Sequence, residues 1–353
     1  MLDVFFFFVF CYLPRGIESV FPKHERTQMK TSLDRATLVT LLEKMLRIRR
    51  FEEEVNLLFL GGKMPGTIHL YMGEEAVAVG VCAHLTNQDI TTSTHRPHGH
   101  ALAKGVTTRA LMAELFGKTT GCCKGYGGSM HVGDFSVGAL PAIAIVGGGI
   151  PIATGCAYAF KYRKEPHVAV AFLGDGATNE GAFHEAVNMG AIWSLPVIYV
   201  IENNFYGAST PVKHVTRVKH LADRAAAYGL PGVTIDGNDV LTVYEAAGKA
   251  IARARAGEGP TFLECLTYRR CGHSRSDGNA YRDAAESEQW MARDPIELFR
   301  KRLLADGVLS DKEANEVDAR VKAEIAEAIE LARQAPDPAP QDALRNVFCE
   351  EGV

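Results

Sequence analysis

The sequence predicts an α/β protein in which a parallel sheet is flanked by helices on both faces. Three observations carry that expectation. Val168–Leu173 and Val197–Ile201 are short, wholly apolar runs, the pattern of strands covered on both sides. Helical segments precede and separate them, so the order is helix, strand, helix, strand, the signature of β-α-β units. A second group lies downstream, where Val233–Ile235 and Thr261–Leu266 read as strands flanking a helix over Val240–Ala256. Composition agrees: 47% hydrophobic and 23% charged residues suit a globular chain with a sizeable core, which excludes a disordered or fibrous protein. A length of 353 residues admits two domains or one large one. The formal net charge of -4 argues against a nucleic-acid binder, which needs a basic excess to neutralise phosphates.

The elements follow in order. Val4–Leu13 is a Phe-rich apolar run without a basic n-region or a small-residue cleavage site, and it is too short to span a bilayer. Residues 1–28 are therefore expected outside the fold, with Met29 as the true start, 29–335 as the core domain and 336–353 as a tail. No other segment reads as membrane-spanning, and the lack of an export signal favours the cytoplasm. Leu38, Leu41, Leu42, Met45, Leu46, Ile48, Phe51 and Val55 recur at helical spacing up to Gly61-Gly62. A second helix is expected within Gly73–Leu85, with Glu74-Glu75 at its start, where carboxylates suit the helix dipole.

Asp89–Gly105, mostly polar with His95, Arg96, His98 and His100, reads as loop rather than core. Gly121–His131 holds four glycines and reads as a long irregular loop. Gly147–Tyr162 reads as a glycine-rich turn feeding a buried helix of Ile152, Ala153, Cys156, Ala157, Ala159 and Phe160. Gly181–Trp193 reads as a helix with Phe183, Ala186, Val187 and Met189 on its apolar side. Asp311–Gln334 reads as a charged amphipathic helix, ended by Pro336, Pro338 and Pro340. The eight cysteines, at 11, 82, 122, 123, 156, 265, 271 and 349, form no C-x-x-C and are expected as reduced thiols.

The chemistry concentrates at two strand ends. Gly174-Asp175-Gly176 closes one apolar strand and Asn203-Asn204 closes the next, with 26 residues between Gly176 and Asn203. A β-α-β unit of ~30 residues puts both at the carboxyl edge of the sheet, where open α/β sheets bind ligands. Asp and Asn offer hard oxygen ligands of the kind Mg²⁺ takes beside diphosphate oxygens. The flanking glycines let backbone approach a phosphate. Either motif alone is a common turn; the pair at this spacing is far more specific.

The stretch GDGATNEGAFHEAVNMGAIWSLPVIYVIENN closely resembles the thiamine-diphosphate motif. From about Leu41 to Arg333, over four-fifths of the chain, the sequence resembles the α subunit of an E1 component of the 2-oxo acid dehydrogenase complexes. That resemblance implies the thiamine-diphosphate-binding fold, with Asp175, Asn204 and the main-chain oxygen of Tyr206 ligating Mg²⁺. It further implies diphosphate contacts from Gly176 and Ala177 through backbone and from Arg96. His95 stands where pyruvate-type members carry Tyr. Ala144 and Val146 match the pair that holds the aminopyrimidine ring, and His69 and His273 match active-site histidines, His273 near the cofactor channel. His131 matches too, without a chemical step, and His98 and His100 stay as loop residues.

In this family carbon–carbon cleavage of the substrate, pyruvate or acetoin, ends in transfer of a two-carbon unit to a lipoyl-bearing E2. The glutamate that activates the cofactor lies on a separate β subunit. The resemblance thus implies an α2β2 heterotetramer and no activity from this chain alone. His95-Arg96-Pro97-His98-Gly99-His100 and Asp134 look closer to acetoin-type than to pyruvate-type members. Other classes fare worse. Val146-Gly147-Gly148-Gly149 lacks the full dinucleotide fingerprint, and no His/Asp cluster shows metal-ligand spacing along the chain. Other thiamine enzymes usually carry both halves in one longer chain, and a purely partner-binding homologue has no need of the intact site residues.

Overall fold

A computed structural model describes residues 33–345. Val4–Leu13, the start at Met29, Cys11 and Cys349 lie outside the described residues. The strands are β1 (Ile90–Thr92), β2 (Ala169–Gly174), β3 (Val197–Asn203), β4 (Tyr206–Gly207), β5 (Thr210–Pro211), β6 (Gly232–Asp236) and β7 (Thr261–Leu266). Five of them form one sheet in the order β1-β2-β3-β7-β6, with every neighbouring pair parallel. β4 and β5 make a small antiparallel ribbon beyond the end of β3.

The first helices are α1 (Arg35–Leu60), α2 (Glu75–Cys82), α3 (His98–Lys104), α4 (Thr108–Leu115), α5 (Gly149–Arg163) and α6 (Gly181–Ile192). After them come α7 (Val212–Val215), α8 (Val240–Arg255), α9 (Ala284–Met291), α10 (Pro295–Ala305) and α11 (Asp311–Gln334).

Both faces of the sheet are covered, which is why β2 and β3 read as continuous apolar runs. On one face Ala169, Ala171 and Leu173 of β2 and Val197, Tyr199 and Ile201 of β3 pack under Ile150, Ala153 and Ala157 of α5 and Phe183, Ala186 and Val187 of α6. On the other, α8 lies against β3 and β7 and carries α2 on its back. The α2–α8 contact is close because Gly80 has no side chain; a Cβ there would sit 2.7 Å from Val243 Cγ1. α1, α4 and α11 add an outer layer. Asp34 caps α1, accepting from the Thr37 N–H at 2.8 Å, and Ser310 with Glu313 forms a capping box on α11.

Three expectations need correction. Asp89–Gly105 is not a surface loop: it holds β1 and α3, and Asp89, His98 and His100 are fully buried. Its polarity misleads because the polar groups satisfy each other inside. Asp89 accepts the Val168 N–H at 2.9 Å, His98 Nδ1 meets Glu52 at 3.0 Å, and His100 Nε2 meets Glu202 at 3.0 Å. In α5 the buried side is Ile150, Ala153, Thr154 and Ala157, while Ile152 is 45% exposed and Ala159 only half-buried. Met189 of α6 is exposed as well. The start of the 336–353 segment is held to the domain: the Thr119 N–H donates to Pro336 O, and the Tyr126 hydroxyl donates to Asp342 O.

Phe183 joins α6 to the sheet, fully buried against Phe262. Phe183→Ala is expected to cost about 3–5 kcal/mol of stability, read as a lower urea midpoint at unchanged slope. Gly99→Ala drives a Cβ into the Tyr71 ring and is expected to cost about 1–3 kcal/mol in the same assay.

Candidate functional site

At the carboxyl edge of the sheet lies a cavity of about 430 Å³. Its wall brings together the residues to which the sequence reading gave a site role: His69, His95, Arg96, Ala144, Val146, Asp175, Gly176, Ala177, Asn204, Tyr206 and His273. The register explains how. Gly174 of β2 stands opposite Glu202 of β3, so Asp175 and Asn204 leave from neighbouring strand ends. Gly176 and Gly207 approach so closely that a Cβ on Gly176 would lie 3.4 Å from the Gly207 Cα. Ala144 and Val146 sit at the rim, where Ile145 is 76% and Val146 51% exposed.

Two oxygens in this wall are buried without a hydrogen-bond partner, Asp175 Oδ2 and Asn204 Oδ1. Asn204 Nδ2 donates at 2.8 Å to Glu74 Oε1, and this turns Oδ1 away from Glu74. Buried polar atoms left unsatisfied are costly, so a pair of orphan oxygens at one wall marks a place for a hard cation. Burial pushes the Asp175 carboxyl up to about 6, with Arg269 pulling the other way. Burial also raises Glu74, and the neighbouring Glu202 carboxyl adds to that rise.

Arg96 is buried, and its guanidinium donates to Leu70 O at 2.6 Å and His273 O at 2.9 Å, with Nε 3.8 Å from Glu74. Burial brings its pKa down to about 10, still cationic at neutral pH. Three imidazoles crowd the same wall: the ring centroids are 4.8 Å apart for His69–His95, 5.1 Å for His69–His273 and 4.9 Å for His95–His273. Burial first, then the positive charge of Arg96, holds them neutral, with His69 lowered to about 3, His95 to about 2 and His273 to about 4. Arg269 donates at 3.1 Å to His273 Nδ1, so the ring's own hydrogen sits on Nε2. His131 lies apart from the cavity wall and meets Ala142 O at 3.0 Å.

Sequence reading missed other residues of this wall and its supports. Glu74 was legible only as a helix-start carboxylate. Glu202, which joins the Tyr71 hydroxyl and His100 Nε2, carried one usable signal: a lone acid in an otherwise apolar strand. Arg269 lies just past the end of β7, after Thr267 and Tyr268, and is fully buried. The glycine-rich loop 121–128 owes its course to Glu114, whose carboxylate accepts the backbone N–H groups of Cys123, Gly125, Gly127 and Gly128.

Comparison with known proteins agrees with this architecture. The family described as dehydrogenase E1 component matches residues 43–341. The chain is similar to the α subunit of acetoin:2,6-dichlorophenolindophenol oxidoreductase of Bacillus subtilis (strain 168), at 47% identity over 90% of this chain and 95% of that one. The corresponding subunit of Cupriavidus necator is 46% identical over the same shares. The α subunit of the pyruvate dehydrogenase E1 component of Porphyra purpurea is 42% identical, again over 90% and 95%. The chain belongs to the dehydrogenase E1 component family, on its α-subunit side. Its class is that of the thiamine-diphosphate-dependent oxidoreductase components.

The depressed imidazoles set a pH dependence. An unfolded chain protonates its histidines near pH 6.5, whereas His273 waits until about 4 and His69 until about 3. Between those values the unfolded state binds more protons, so stability falls as pH drops from 6.5 toward 4. Asp175, between about 6 and 3.8, and Glu74, between about 8 and 4.5, act oppositely and offset part of the loss from the three imidazoles. Urea midpoints at pH 7 and 5 are expected to show the loss, and His69→Gln to reduce it.

Proposed function

We propose that this chain is the α half of an acetoin-cleaving E1 enzyme that works with thiamine diphosphate and Mg²⁺ and passes a two-carbon unit to a lipoyl-bearing E2. The observation that carries this reading is the pair of orphan oxygens, Asp175 Oδ2 and Asn204 Oδ1, at the carboxyl edge of the sheet. They fit an oxygen-seeking divalent ion, and the main-chain oxygen of Tyr206 would add a third ligand. Glu74 holds the Asn204 amide in the ligating orientation. Gly176 and Ala177 would take the diphosphate through their backbones, with Arg96 and His95 beside it, and Ala144 with Val146 would hold the aminopyrimidine ring.

When bound, thiamine diphosphate supplies the nucleophilic carbon and the electron sink for carbon–carbon cleavage; the protein binds, orients and tunes. This chain's share of the chemistry is proton handling. His273, with its hydrogen on Nε2, donates to a substrate oxygen at the channel, and His69, neutral with a free Nδ1, accepts one. Neutral rings suit a neutral hydroxyketone, and the two acetoin oxidoreductase subunits are more similar to the chain than the pyruvate dehydrogenase subunit compared above.

A β subunit completes the site in an α2β2 heterotetramer. The rim residues Ile145 and Val146 lie exposed beside the cavity, and Tyr162 of α5 and Ile192 of α6 are 78% and 68% exposed. An apolar surface of this kind marks a protein interface. We assign residues 29–335 to the E1 α domain and 336–353 to the tail. The assembly belongs in the cytoplasm, where the six free thiols among the described residues stay reduced. No helix among the described residues is long and apolar enough to cross a membrane.

Co-expression with a β subunit and assay of acetoin and pyruvate, with dichlorophenolindophenol as acceptor, tests the reading. Acetoin turnover by the pair and none by the lone chain is expected; full turnover by the lone chain, or a preference for pyruvate, would reject it in that part. Asp175→Ala is expected to abolish cofactor-dependent Mn²⁺ binding, and Glu74→Ala to weaken it roughly 10–100-fold, as read by electron paramagnetic resonance. Glu74→Gln, which keeps an accepting oxygen, is expected to restore most of the affinity.

A further inference from the structure

The oxygens of Asp175 and Asn204 leave one feature of the cavity unexplained. His69, His95 and His273 come from three separate segments, yet each presents a nitrogen within 4.8 Å of a nitrogen of the other two. Two nitrogens on this face, His69 Nδ1 and His95 Nε2, are buried with no hydrogen-bond partner, and His69 is only 7% exposed. Neutral imidazole is the form that ligates metals, and all three rings are held neutral by burial and by Arg96. A tetrahedral site with metal–nitrogen bonds of about 2.0–2.1 Å needs ligands about 3.3 Å apart. The widest of the three pairs must therefore close by roughly 1.5 Å from its limit of 4.8 Å, a movement that side-chain rotation supplies.

We propose that His69, His95 and His273 form a second divalent-metal site, selective for a borderline-soft ion of the Zn²⁺ class and distinct from the oxygen site at Asp175 and Asn204. Ligand type separates the two: imidazole suits Zn²⁺, Co²⁺, Ni²⁺ and Cu²⁺, whereas carboxylate and amide oxygens suit Mg²⁺. The cavity wall carries four carboxyl groups, Glu74, Asp175, Glu180 and Glu202, and two guanidinium groups, Arg96 and Arg269; the guanidinium charges that help keep the rings neutral also oppose a cation, a cost that three nitrogen ligands must offset. Arg269 imposes a cost. It donates to His273 Nδ1, so coordination through Nε2 displaces the proton held there or breaks that hydrogen bond. An ion so held stands among the residues to which we assign proton handling, and the occupied site blocks turnover. Binding itself uses only the three rings and does not rest on the thiamine-diphosphate reading.

The test titrates the metal-free full chain with Co²⁺ in excess Mg²⁺, without thiamine diphosphate. One equivalent with the strong visible absorption of low-coordinate Co²⁺ is expected, bleached by Zn²⁺. His95→Gln and His273→Gln are each expected to weaken binding at least about tenfold, the lower bound for changes one shell further out. Cys122→Ser with Cys123→Ser is expected to leave it unchanged. X-ray absorption on the Zn²⁺-loaded wild-type chain reads the ligands without any variant; three imidazole nitrogens at about 2.0 Å are expected. Absence of a stoichiometric site overturns the proposal. So does a sulfur or oxygen-only shell, or binding unaffected by both histidine variants.

Discussion

The parallel pairing of β2 with β3 is the constraint on which the rest depends. Both strands are buried on both faces, so a slip of one residue would turn Ala171 and Leu173 from the α5–α6 side to the α8 side and invert the packing of both layers. The register is thereby specified, and with it the opposition of Gly174 and Glu202. Everything at the carboxyl edge inherits its place from that alignment. Asp175 and Asn204 become neighbours although 28 residues separate them in the chain.

Above the sheet edge, buried carboxylates organise the loops. Glu114 gathers the glycine-rich loop through four backbone N–H groups, and Glu52 holds the Tyr71 N–H and His98. Glu264 accepts from Asn203 Nδ2, the Ala222 N–H and the Thr234 hydroxyl. A buried charge without such partners would cost several kcal/mol or neutralise itself. With several donors each, these groups tie segments distant in sequence to one frame. In the cavity wall itself Glu74 accepts from Asn204 and Glu202 joins Tyr71 and His100, while Asp175 Oδ2 and Asn204 Oδ1 are left without partners.

The electrostatics divide the wall into two parts of different character. Around Asp175 and Asn204 the donors are hard oxygens fixed by Glu74. Around His69, His95 and His273 they are neutral nitrogens, kept so by burial and by Arg96 and Arg269. One cavity thus offers a surface of oxygens and a surface of neutral nitrogens side by side.

The sequence by itself determined the parallel α/β architecture, the strands at 168–173, 197–201 and 261–266 and the long helices, because apolar runs and helical periodicity follow from local burial. It also pointed to the cofactor class, through the resemblance of the stretch from Gly174 to Asn204 to the thiamine-diphosphate motif; the spacing of Gly174-Asp175-Gly176 and Asn203-Asn204 placed the two ends at one sheet edge. Tertiary structure alone decided that Asp89–Gly105 is interior, because the partners of its polar groups, Glu52 and Glu202, lie far along the chain. It alone decided which side of α5 faces solvent, since a helix rich in alanine and glycine has no strong apolar stripe to orient it. And it alone assembled three histidines from positions 69, 95 and 273: spacing along a chain records nothing of contacts that only the closing of the fold creates.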